Sequence, residues 1–153
     1  MKKVLISIAL LSNLIMASEI TRDEARVEMT DILTKAFQKP DDKYFLQTTH
    51  TIQGNTKIDT CVYKLLDPKS KVGKVVCTDD VYFHDNTGDI DKMKSITISS
   101  TFGKLMTTTS KQRIDKVSIK FRSDESDFMC NMITLKKYQR YSTDIVKFEC
   151  EEF

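Results

Sequence analysis

Cys61, Cys77, Cys130 and Cys150 are the side chains of this chain best suited to covalent chemistry, and their spacing narrows what that chemistry is. A zinc site needs close C-x-x-C or histidine pairs, and a thiol exchange centre needs C-x-x-C. The sequence contains neither. An even set of widely spaced cysteines reads as a disulfide framework. Four cysteines admit three connectivities, and antiparallel geometry favours one of them. Residues facing each other across a hairpin have a constant sum of positions. Cys61 and Cys77 are centred on Lys69, inside Asp67-Pro68-Lys69-Ser70-Lys71, where Pro and Asp favour a turn. Cys130 and Cys150 are centred on Arg140, inside the polar stretch Lys137-Tyr138-Gln139-Arg140-Tyr141-Ser142. The expected bridges are therefore Cys61 to Cys77 and Cys130 to Cys150, each across its own hairpin. Tyr63, Leu65, Val75, Val81 and Phe83 share the first cysteine face, and Phe128, Met132, Val146 and Phe148 the second. Both bridges should thus point inward. Each is worth roughly 3 kcal/mol in the chain-entropy model.

Catalytic and metal chemistry finds less support. The chain has two histidines, His50 and His84. His84-Asp85 has the order of an oriented base, but no nucleophile motif accompanies it. There is no G-x-S-x-G, no H-E-x-x-H and no phosphate-binding glycine loop. Asp79, Asp80, Asp85, Asp89 and Asp91 offer the oxygen ligands calcium prefers. Placing Gly88 at the invariant EF-hand glycine puts Phe83 at the first ligand position, so that motif fails. No catalytic residue, metal or cofactor is expected. Tyr138, Arg140 and Tyr141, beside Lys136 and Lys137 at the tip of the second hairpin, form the candidate contact patch for a protein partner.

The N-terminus gives these residues an address. Lys2 and Lys3 precede the apolar stretch Val4 to Met16, and small residues follow at Ala17 and Ser18. This is the pattern of an export signal, residues 1–17, processed near Ala17-Ser18. Ser12 and Asn13 interrupt a stretch already short of the roughly 20 apolar residues that span a bilayer. No cysteine follows it, which disfavours a lipid anchor. Residues 18–153 are then one domain, large enough for its own core. The formal charge of +2 belongs to the two leader lysines, so the mature chain is neutral. Neutrality argues against nucleic acid and against a polybasic membrane surface.

The elements that position the cysteines are legible in outline. Thr21 with Glu24 forms a capping box, with Ile20 before it. Ala25, Met29, Ile32, Leu33, Ala36 and Phe37 recur at helical spacing until Pro40 and Asp41-Asp42. Strand patterns follow over residues 44–53, 57–66, 72–84, 93–102, 105–109, 114–122, 128–137 and 143–152. Turns are expected at Gly54-Asn55, Asp85 to Asp89, Gly103-Lys104 and Ser123 to Ser126. Tyr44 to His84 and Ile114 to Glu152 echo each other as strand, turn, cysteine strand, turn, cysteine strand. Phe153 ends the chain as in an outer-membrane barrel, but Glu151, Glu149 and Lys147 in phase with it break the required apolar alternation.

The expectation is an α+β domain: one N-terminal helix on a curved antiparallel sheet of about seven or eight strands, with two cross-strand disulfides. Functionally, the sequence points to a non-enzymatic periplasmic or secreted binding protein, such as an inhibitor, immunity or envelope accessory factor. A carrier of a small apolar ligand or lipid, held between helix and sheet, is the alternative.

Overall fold

The computed structural model describes residues 15–39, 41–79, 82–107, 114–137 and 143–153. Its elements run β1 (Ile15–Thr21), α1 (Arg22–Phe37), β2 (Lys43–Ile52), β3 (Asn55–Asp67), β4 (Val72–Asp79), β5 (Tyr82–Asp89), α2 (Ile90–Thr107), β6 (Ile114–Arg122), β7 (Asp127–Lys136) and β8 (Ile145–Glu152). All strand pairs are antiparallel, in the order β1-β8-β7-β6-β2-β3-β4-β5, and the sheet stays open with β1 and β5 as its edges. An α+β fold with two disulfides is what the sequence led us to expect.

Local chemistry accounts for the first helix. The Thr21 hydroxyl accepts the Glu24 N–H, and the Glu24 carboxylate accepts the Thr21 N–H at 2.8 Å, closing the capping box. Ala25, Met29, Leu33, Ala36 and Phe37 are buried along one stripe, with Ile32 partly buried beside it. The β2–β3 turn falls on Gln53-Gly54, one residue before the expected Gly54-Asn55. Both residues have positive φ, 51° and 81°, as a two-residue primed turn requires.

The hairpin-centre argument holds for both bridges. Cys61 faces Cys77 and Cys130 faces Cys150 in register, each with Cα atoms 4.1 Å apart. Both lie on the core face with Tyr63, Val75, Phe128, Met132, Val146 and Phe148. Leu65 packs at the margin of that core, while Val81 and the side chain of Phe83 lie outside the described residues.

Three expectations need correction. Residues 93–102 and 105–107 are not strands and Gly103-Lys104 is not a turn: all belong to α2, a second helix, while residues 108 and 109 lie outside the described residues. The alternation at Ile96 and Ile98 is incidental, since Ile96 is exposed and Ile98 is partly buried against the core. Asp85 to Asp89 is not a turn but most of β5, because edge pairing with Val72–Val76 supplies the backbone hydrogen bonds those polar residues would otherwise satisfy locally. Residues 72–84 accordingly form two strands, not one. Finally, a short strand precedes α1. β1 begins inside the expected leader, and its ladder with β8 is regular from Ser18 to Thr21 but shifts register between Ile15 and Ser18.

The chain folds as two β-α-β-β-β halves, β1-α1-β2-β3-β4 and β5-α2-β6-β7-β8. The sheet order is palindromic about the β2–β6 pair, which places a pseudo-two-fold axis there. Registers agree residue by residue. Leu46 faces Cys61 as Ile119 faces Cys130, and across the axis Leu46 pairs with Phe121 while Thr48 pairs with Ile119. Each half lends its first strand to the other's last: β1 lies beside β8, and β5 beside β4. The helix starts match as well. Arg22 N–H donates to the Asp144 carbonyl at 2.8 Å, and Ile90 N–H to the Lys71 carbonyl at 3.0 Å. Asp89 caps α2 through the Lys92 N–H as Thr21 caps α1 through Glu24. The echo read from the sequence is therefore a structural repeat. The bridges close sequence separations of 16 and 20, so the second hairpin is the longer one.

Both helices pack on one face, over a ring cluster of Phe37, Tyr44, Tyr63, Phe121 and Phe128 with neighbouring centroids 5.1 to 5.9 Å apart. α2 reaches the sheet through a bare backbone: a Cβ on buried Gly73 would stand 2.4 Å from Ile90 Cδ1 and 2.9 Å from its Cβ. Gly73→Ala should therefore push the start of α2 off the sheet and cost about 1–3 kcal/mol. Urea unfolding measures this, and an unchanged midpoint would contradict the close approach.

Candidate functional site

The residues singled out from the sequence do not converge. Tyr138, Arg140 and Tyr141 lie outside the described residues. His50 sits on β2 opposite Lys57 and Val117, and His84 on β5 opposite Cys77, so different strands separate them. The side chain of His84 is not among the described ones, nor are those of Asp79 and Asp80. The remaining acids have ordinary roles. Asp85 pairs with Lys74 at 2.8 Å, Asp91 pairs with Lys71 at 2.8 Å, and Asp89 caps α2. Among the described residues no group of three His, Cys, Asp or Glu side chains is arranged to hold a metal.

Concavity lies elsewhere, in a cleft of about 740 Å³ between the C-terminal end of α1, the first half of α2 and the margin of the sheet. Phe37, Tyr44, Leu65, Ile90 and Ile98 give it an apolar floor and walls, and Asp41, Asp42, Lys39, Lys71 and Asp91 supply charge. Its position follows from the fold. α1 stops at Phe37, the chain crosses back through Lys39 to Asp42, and α2 starts against Gly73 on the neighbouring strands. Two helices of limited length on an eight-stranded sheet leave a gap where one ends and the other begins.

Lys94 stands in this gap and is only 8 % exposed. Its Nζ lies 4.1 Å from the Tyr44 ring centroid and 5.7 Å from that of Phe37. It donates to the Phe37 carbonyl at 3.4 Å and lies 3.9 Å from Asp91 Oδ1. Burial lowers its pKa, opposed by the charges of Asp91 and Asp41 and reinforced by Lys71. Below it, the Tyr44 hydroxyl donates to the Lys39 carbonyl at 2.5 Å and accepts the Asp41 N–H at 3.1 Å, with burial raising its pKa. Ring faces hold the ammonium by cation–π attraction.

A stability measurement can read this environment. Lys94 titrates below its unfolded value, so unfolding takes up a proton in the alkaline window beneath 10.5, and stability rises with pH across it. Lys94→Met should remove that component of the slope. Tyr63, pushed up to about 12 by burial, acts oppositely between 10.0 and 12, where stability is lost as pH rises. Paired pH–stability curves of wild type and Lys94→Met check the sign; parallel curves would refute it.

A second buried charge lies toward the other end of the sheet. Arg22, fully buried, reaches Asp144 Oδ2 at 3.3 Å, the Ile114 carbonyl at 3.4 Å and the Thr134 hydroxyl. It joins α1 to β7 and to the strand starts of β6 and β8, and its role is structural. Neither Lys94 nor Arg22 was singled out from the sequence. A usable signal existed in each case: Lys94 is the charged member of the stripe Ile90, Met93, Lys94, Thr97, Ile98, and Arg22 is a cation at the positive end of a helix.

Among the described residues no helix is long and apolar enough to cross a membrane. No protein-family model, curated protein or solved structure matches this chain.

Proposed function

We propose that this protein is a non-enzymatic binding protein, exported to the periplasm or secreted, and that the cleft between its helices is the binding site. The cleft carries the reading. Its volume of about 740 Å³ lies in the range of small-molecule sites, and it combines an apolar surface from Phe37, Tyr44, Leu65, Ile90 and Ile98 with charged and hydroxyl side chains, Lys94 among them. Export is supported by the leader pattern and by two disulfides on the core face of the sheet, which suit an oxidising compartment. The reading makes the protein a carrier of a small ligand with an apolar body. Native mass spectrometry of freshly purified protein should show a bound small molecule that Ile98→Asp displaces. Protein that is ligand-free and indifferent to added amphiphiles would overturn the reading.

Contact with a protein partner, as an inhibitor, immunity or envelope accessory factor, is the second reading. What favours it is exposed apolar surface at the irregular ends of the β3–β4 and β7–β8 ladders, where Leu66 and Leu135 are about half exposed. Under it, Arg140→Ala with Tyr141→Ala should weaken partner capture while leaving thermal stability nearly unchanged.

A further inference from the structure

We infer that the cleft is built for an amphipathic carboxylate, with its head group on Lys94 Nζ and its apolar body along Phe37, Leu65, Ile90 and Ile98. This rests on the cleft being the binding site. An ammonium carries three donors. Among the described residues Lys94 uses one of them, on the Phe37 carbonyl at the long distance of 3.4 Å, and its nearest carboxylate oxygen is 3.9 Å away. A cation that is 8 % exposed and so weakly coordinated is an energetic cost in the empty protein. An anionic oxygen arriving from the cleft removes that cost, and this gain falls selectively on ligands with negative charge.

Four of the other charged side chains around the cleft, Lys39, Asp41, Lys71 and Asp91, have partners of their own. Asp91 Oδ2 binds Lys71 at 2.8 Å in an exposed rim pair. Lys39 Nζ donates to the Glu125 carbonyl at 2.9 Å and to the Ser126 hydroxyl at 2.6 Å, turning outward from the cleft. Asp41 Oδ2 accepts the Glu125 N–H at 3.4 Å. The acids explain the preference for a single negative charge. With Asp41, Asp42 and Asp91 nearby, a dianionic phosphate would bring one charge more than Lys94 can match. A cationic ligand would meet Lys94 already seated over the Tyr44 ring. The apolar side chains then fix the rest of the molecule as hydrocarbon.

The test uses the whole mature protein, delipidated, with decanoate and 1-decanol as probes at neutral pH. Titration calorimetry should find decanoate bound roughly tenfold more tightly than decanol, the increment of one charge-assisted hydrogen bond. Lys94→Met should erase the preference while retaining decanol binding, and Lys94→Arg should keep it. A Lys94→Gln variant serves if the methionine variant fails to fold. Equal binding of the two probes, or a preference that survives Lys94→Met and Lys94→Gln, overturns the carboxylate assignment. If Ile98→Asp still abolishes binding of both probes in that case, the cleft remains the site and only the head-group inference falls. Absence of binding by either probe overturns the inference and the cleft reading together.

Discussion

Asp144→Ala should cost about 3–5 kcal/mol of folding stability, as breaking a buried ion pair does when one charge is left behind. The Arg22 side chain is wholly buried and that of Asp144 is 6 % exposed, so neither group recovers water when the other is removed. The loss is not the worth of the pair. It is mostly the penalty of holding a guanidinium in a dry site without the Asp144 charge, with the Ile114 carbonyl and the Thr134 hydroxyl among the acceptors it keeps. The double variant Arg22→Met with Asp144→Leu should therefore recover much of the deficit, because neither charge then remains to be solvated. Urea unfolding of both singles and the double measures the coupling. An Asp144→Ala loss below about 1 kcal/mol would mean that the guanidinium reaches solvent or rearranges onto other acceptors.

The same pair shows where sequence reading stops. A buried ion pair joining positions 22 and 144 leaves no local periodicity, because its partners meet only after β8 has been placed beside β1. What was legible is what is local or symmetric. The capping box and stripe of α1 depend on residues three and four apart. The disulfide pairing depends on hairpin centres, a rule indifferent to everything outside the hairpin. α2 was hidden because Ile-Thr-Ile-Ser-Ser-Thr, from Ile96 to Thr101, is rich in β-branched residues whose intrinsic preference favours strand. Packing of Ile90 on Gly73, and of Met93 and Ile98 against the core, overrides that preference. β5 was hidden for the converse reason. Asp-Asn-Thr-Gly-Asp is turn chemistry, and it becomes a strand because β4 offers an unpaired edge.

The repeat ties these cases together. Once the first half is read as β-α-β-β-β, the second must contain a helix before β6 and a strand before that helix, in the segments where turns and strands were expected. The equivalent helix starts then diverge in a way that bears on function. At the start of α1, Arg22 turns into the fold and binds Asp144; at the start of α2, Ile90 lies flat on Gly73. The second solution brings the next turn of α2, with Lys94, close against Tyr44 and Phe37. One copy of the helix start thus serves stability, and the other forms a wall of the cleft.

Leu33→Asp should be the most damaging single change on α1, at about 4 kcal/mol or more. Leu33 is fully buried in the shared core, so the substitution removes the three apolar carbons of its isopropyl group and places a carboxylate in apolar surroundings. Protonation of the new acid recovers part of the loss, which predicts that the variant is less impaired at low pH than at neutral pH relative to wild type. The fall in Tm should be on the order of 10 °C. Because Leu33 lies one turn before Phe37, undocking α1 also withdraws the ring and the carbonyl that flank Lys94. Ligand capture should accordingly fail together with stability in Leu33→Asp, whereas Lys94→Met should alter capture with no loss of stability at neutral pH, since it removes a buried charge whose pKa burial lowers. A Leu33→Asp protein with unchanged Tm would mean that α1 does not dock on the sheet in solution. The cleft, which needs the end of α1 as one of its walls, would then not exist as a site.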